Sequence, residues 1–185
     1  MLSFLFGILL LAAPSGPEAY KAEGDKLLAA GQPAKAFDAY TQAINLGMKH
    51  SQVFLARGNA LTAMREWERA ITDYDQAIKL RLDNPVAYRN RGYAKAELGR
   101  YQDAIDDYTA ALQIKPDFWD AWLKRGQVNG NAGLWEKAIA DLDVFLKNEP
   151  NHAYGLGLRG AAYARIGQPN RALGENDHVA AALGL

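Results

Sequence analysis

The chain contains no cysteine, so it can form neither a disulfide nor a thiolate metal site, and its redox compartment is left open. It also has no surplus of charge, with Lys plus Arg and Asp plus Glu at 21 each. A balanced chain sets up no long-range field for phosphates, which argues against nucleic acid as a partner. Histidine is scarce. His50, His152 and His178 include no pair four residues apart, the spacing that would place two metal ligands on one helical face. There is no Gly-x-Ser-x-Gly, and no phosphate-cradling glycine loop followed by lysine. Neighbouring carboxylates such as Asp106 and Asp107 read as charges on a helix face, not as an acid-base dyad. No catalytic residue, metal ligand or cofactor is therefore assigned, and a non-enzymatic protein is expected.

What is present is periodicity. In residues 85–118, Tyr88, Gly92, Ala96, Ala104, Tyr108 and Ala111 alternate small and large at the three-to-four spacing of one helix face. The pattern predicts two helices. The first runs from Val86 to Leu98 and stops at Gly99, which accepts a left-handed C-terminal conformation; the second runs from Tyr101 to Ile114, before Pro116. Gly92 and Ala104 stand where such helices would touch most closely.

The unit repeats. Gly24, Gly58, Gly92, Gly126 and Gly160 follow one another at intervals of 34, as do Ala36, Ala70, Ala104, Ala138 and Ala172. Four residues before each glycine lies a large apolar side chain: Tyr20, Phe54, Tyr88, Trp122 or Leu156. In this pattern the chain resembles the tetratricopeptide repeat family, with repeats at 17–50, 51–84, 85–118, 119–152 and 153–185. It departs from the family pattern at Met48 and Leu82, where the terminal proline is expected, and at Leu156 and Asn176 in the last repeat. The resemblance implies an all-α fold, a right-handed superhelical α-solenoid of antiparallel helix hairpins, acting as a protein-binding adaptor or assembly factor.

Two positions change together among the repeats. Arg57, Arg91, Arg125 and Arg159 precede their glycines, and Asp73, Asp107, Asp141 and Glu175 sit on the second helices; the first repeat has Glu23 and Ala39 instead. An ion pair from each Arg to the acid of its own or the adjacent hairpin is expected, orienting helices more than stabilising them. Trp67, Tyr101 and Trp135 recur at the repeat period and read as stacking residues. Phe118 and Trp119, at a repeat junction, are candidate interaction anchors.

Helical spacing selects the concave face lined by the first helices: Gln52, Leu55, Asn59 and Thr62; Val86, Arg89, Asn90, Tyr93 and Glu97; Asp120, Leu123, Lys124, Gln127 and Asn131; then Tyr154, Leu158 and Arg165. Amides can pair with the backbone of an extended peptide and cations with its carboxylates. The candidate peptide-binding residues are Asn59, Arg89, Asn90, Tyr93, Lys124, Gln127 and Asn131. Some family members hold a C-terminal carboxylate with a five-residue clamp, whose positions fall here on Leu55, Asn59, Asn90, Asp120 and Lys124. Leu55 lacks the cation and Asp120 reverses it, so no dedicated carboxylate capture is expected.

Residues 1–16 are compositionally foreign to the array. Leu2 to Ala13 carries no charge but is shorter than the roughly 20 residues of a spanning helix, and no Lys or Arg precedes it. Two readings stay open: an export signal or short membrane anchor, and an apolar helix retained against the array. The first places the protein outside the cytoplasm, periplasmic or membrane-tethered. At the other end, Arg171, Asn176, Asp177 and His178 make the last helix polar, yet Val179, Leu183 and Leu185 remain apolar. The alternative function is accordingly a self-associating structural subunit of a membrane-associated complex.

Overall fold

The computed structural model describes residues 15–183. The apolar run before residue 15, the side chains of Asn176 and Asp177, and Leu185 lie outside the described residues. Among the described residues ten helices follow one another: α1 (Pro17–Ala29), α2 (Pro33–Asn45), α3 (Ser51–Ala63), α4 (Trp67–Leu80), α5 (Pro85–Glu97), α6 (Tyr101–Ile114), α7 (Trp119–Asn131), α8 (Trp135–Asn148), α9 (Ala153–Arg165) and α10 (Pro169–Leu183). Each odd helix packs on the next as a hairpin, and each hairpin packs on its neighbours in chain order, so the fold is an α-solenoid. No strand occurs among the described residues, and no helix among them is long and apolar enough to cross a membrane.

The helix ends follow from local chemistry. Pro85 occupies the first turn of α5, where a missing N–H costs nothing, so the helix starts one residue before Val86; at the other end Leu98 is its C-cap and Glu97 its last residue. Asn84 caps it by accepting from Ala87 N at 3.2 Å. At Gly99 φ is +73°, and Arg100 N donates to Lys95 O at 2.9 Å, closing the turn in a Schellman arrangement. Register places Arg65 at the same point of the second repeat, where it adopts φ +60° without being glycine. His152 caps α9: its Nδ1 accepts from Gly155 N at 3.1 Å, and its ring meets Phe145 edge-on at 5.0 Å.

The periodic glycines are where paired helices meet. A Cβ built on Gly58 would lie 2.6 Å from Cε1 of Tyr74, and one on Gly92 3.2 Å from Ala104 O and from Asp107 Cβ. Tyr40, Tyr74, Tyr108 and Leu142 fill the space opposite their glycines and are fully or almost fully buried. The aromatic positions behave as stacking residues, with Tyr20, Phe54, Tyr88, Trp122, Trp67 and Tyr101 half-buried against the core. Met48 is buried, whereas Leu82 is exposed.

The four arginines form the expected pairs, each with its own hairpin. Arg57 Nε and Nη2 donate to Asp73 at 2.8 and 2.7 Å; Arg91 and Arg125 make the same fork with Asp107 and Asp141 at 2.9 and 2.6 Å. Arg159 Nη2 lies 2.8 Å from Glu175 Oε1. The free Nη1 then reaches the second helix of the preceding hairpin, at Thr41, Asp75, Thr109 and Asp143 in turn. One guanidinium thus joins two hairpins in every junction that has it. The first repeat substitutes a different contact, Tyr40 Oη donating to Asp25 Oδ1 at 3.0 Å.

Candidate functional site

Among the candidate positions, side-chain contacts join α3 to α5 and α5 to α7. In the second repeat Tyr74 is saturated: its hydroxyl donates to Asn59 Oδ1 at 3.0 Å and accepts from Thr62 Oγ1 at 2.8 Å. Asn90 Nδ2 donates to the same Asn59 Oδ1 at 2.7 Å, bridging two repeats. Both asparagines of the clamp positions therefore hold each other. Burial is the main reason that the Tyr74 phenol is pushed up to about 12.

One repeat later the arrangement changes. The register partners of Asn59 and Thr62 are Tyr93 and Ala96, and neither offers the Tyr108 hydroxyl an acceptor: the Tyr93 ring packs edge-on against Trp67 at 5.8 Å, and Ala96 has no polar side chain. Tyr108 is fully buried with its hydroxyl unpartnered. Asn90 Oδ1, Arg89 Nε and Asp120 Oδ2 are likewise buried without a hydrogen-bond partner. Arg89 Nε lies 3.0 Å from Asp120 Oδ2, an ion pair out of hydrogen-bond alignment. Burial first, and the Asp120 charge second, push the Tyr108 phenol well above its ordinary range. A buried donor and a buried acceptor left unpaired are each costly. Together they match the carbonyl and the N–H of a peptide backbone.

The remaining candidates surround this floor. Lys124 Nζ stands 5.9 Å over the Tyr93 ring, and Arg89 stacks at 5.6 Å on Phe118. Gln127 is half-buried and Asn131 exposed. Leu123, placed on the open face by helical spacing, is instead buried in the core with Leu142, Phe145 and Leu146, because α7 turns that edge toward α8 and α9. Phe118 is half-buried against the third repeat, while Trp119 keeps 36 % of its surface exposed. Helical spacing selects residues of the first helices and does not reach Tyr108. That residue lies on a second helix and reads as core, and only the loss of Asn and Thr at its partner positions signals the unpaired hydroxyl.

A family profile described as "Tetratricopeptide repeat" matches residues 55–117 and 95–150, together more than half of the chain. Solved structures of the same fold include MamA (41-end) from Desulfovibrio magneticus RS-1, with TM-score 0.86 and 19 % identity over 92 % of this chain and 97 % of that one. YrrB, described as a TPR protein with an unusual peptide-binding site, aligns with TM-score 0.78 and 18 % identity over 89 % of this chain and 84 % of its own. The Arabidopsis OM64 TPR domain is 28 % identical, with TM-score 0.60 over 62 % of this chain and 94 % of that domain. No curated protein sequence matches significantly. By the profile, the 34-residue period and the solenoid of paired helices, the chain belongs to the tetratricopeptide repeat family, whose members serve as protein-interaction scaffolds.

Proposed function

We propose that this protein is a non-enzymatic adaptor or assembly factor that holds an extended segment of a partner protein on its concave face, centred on the third repeat. The observation that carries this reading is a buried acceptor, Asn90 Oδ1, and a buried hydroxyl, Tyr108 Oη, both without a hydrogen-bond partner, near the Arg89–Asp120 ion pair. A stacking unit gains nothing from leaving them unpaired, whereas a bound backbone amide satisfies a donor and an acceptor at once. Asn59, Tyr93, Lys124, Gln127 and Asn131 form the surrounding contacts. Asp120 stands where carboxylate capture needs a cation, so the segment is internal and not a C-terminus. The test is affinity capture with the intact chain against Asn90→Ala combined with Lys124→Ala. Asn90→Ala also removes the bond to Asn59, so the thermal melt of the double variant is the folding control: a folded double variant should lose partner recovery, and undiminished recovery by it contradicts the groove.

A second reading, self-association, draws support from Leu173 and Leu183, which leave 62 % and 60 % of their surfaces exposed on α10. Light scattering across a concentration series distinguishes it: a constant monomer mass favours the adaptor, and a rising mass the structural subunit.

A further inference from the structure

A depression of about 550 Å³ opens between the first helices of the fourth and fifth repeats, within the roughly 300–1,000 Å³ of ligand pockets. Gly130, Ala161, the apolar Trp135 and Leu158, and the polar Gln127 and Arg165 are among the residues that line it. The molecule itself contains the filled version of this site. Two repeats earlier, Trp67 holds the register position of Trp135, and Tyr93 that of Ala161. There the Tyr93 ring sits edge-on against Trp67, with centroids 5.8 Å apart and planes at 90°. At the Tyr93 position the following repeat offers Trp135 only the methyl group of Ala161, with the Arg165 guanidinium 5.3 Å over the ring, and an open depression remains where the earlier junction holds a ring.

The charges at the two junctions are opposed. Glu97, whose carboxylate adds to burial in holding the Tyr93 phenol above its ordinary range, has Arg165 as its register counterpart. Arg165 lies 5.3 Å over the Trp135 ring and, among the described residues, makes no ion pair. No acidic residue lines the depression.

We infer that this depression is an anchor pocket for an aromatic side chain of the partner segment, entering as Tyr93 does on Trp67, with a neighbouring acidic residue of the segment paired to Arg165. The inference rests on the concave-face reading above and adds to it a second contact point and the sequence class of the ligand.

The test is a positional-scanning library of capped hexapeptides presented to the intact protein. Selection of Phe, Tyr or Trp at one position, with Asp or Glu within two residues of it, is expected. Ala161→Tyr, which builds the ring into the chain itself, should reduce binding of the selected peptides by about tenfold or more, the loss due when a buried aromatic anchor is excluded. Arg165→Glu should exchange the acidic preference for a basic one. Tyr93→Ala should open a second aromatic-selective site on Trp67. Ala161 and Arg165 are exposed, so unchanged thermal melts serve as the folding control. A preference without aromatics, or one that survives Ala161→Tyr, overturns the pocket and leaves the groove standing. Aromatic selection that is indifferent to Asn90→Ala with Lys124→Ala keeps the pocket and removes the groove's centre. Absence of any binding by the unmodified protein contradicts both.

Discussion

The second and third repeats are the same hairpin with different groove floors. Each has a glycine packed on the second helix, a buried tyrosine and an arginine forked onto an aspartate. Yet Tyr74 is saturated by Asn59 and Thr62, whereas Tyr108 meets only Tyr93 and Ala96 and keeps a bare hydroxyl. Stacking and the proposed ligand contacts therefore fall on separate positions of one unit. The stacking positions have to repeat, because each hairpin buries its face only against the next; the groove positions are free to vary. Matched substitutions in the two repeats test that separation.

The largest effect should come from the forks. Asp107 holds both Arg91 and Lys95, at 2.6 and 2.7 Å, while Asp73 holds Arg57 at 2.7 Å. Removing one partner of a buried pair costs about 3–5 kcal/mol, because the other charge stays buried. Asp107→Ala should therefore cost about 4 kcal/mol and Asp73→Ala about 3 by urea unfolding. Lys95→Leu, which installs the residue that the second repeat carries as Leu61, should bring the two costs together.

Next come the glycines. Gly58→Ala drives a methyl to 2.6 Å from the immobile Tyr74 ring, so overpacking should exceed the gain in helix propensity by about 2 kcal/mol. Gly92→Ala meets its nearest atoms at 3.2 Å and should cost about half as much. Equal losses in thermal melts would mean that the two helix pairs approach equally closely. The turns give a smaller effect of opposite sign. Arg65→Gly should raise stability by up to about 1 kcal/mol, since φ +60° strains any residue with a Cβ, whereas Gly99 already occupies that conformation without strain.

Much of this was legible in the sequence, for physical reasons. A solenoid reuses one contact at every junction, so the 34-residue interval located the hairpins. The joint change of Glu23 and Ala39 against four Arg and acid pairs located the forks. The start of α5 moved by a residue because Pro85 can enter a first turn. The second reach of each arginine, to Thr41, Asp75, Thr109 and Asp143, also follows the period, but it links three helices and no pairwise reading exposes it. The turn strain at Arg65, the bare Tyr108 hydroxyl and the depression over Trp135 are departures from the period, and each appears only when the neighbour across the junction is known. Leu123 was misplaced for the same reason: helix spacing fixes a face but not which edge of it the next hairpin covers.

The tyrosines give the most direct test of the central claim. Tyr74→Phe removes a hydroxyl with two partners and should cost about 1 kcal/mol, lowering the melting temperature by about 2–4 °C. Both phenols stay protonated in the fold while those of the unfolded chain ionise near pH 10, so their contribution to stability is present below that pH. It falls as pH rises, for Tyr74 through about 12. The decisive measurement is the thermal melt of Tyr108→Phe beside that of Tyr74→Phe at neutral pH. The account predicts that Tyr108→Phe melts at or above the temperature of the unmodified protein, because nothing in the fold receives its hydroxyl; a fall as large as that of Tyr74→Phe would give the hydroxyl a structural partner and contradict the account.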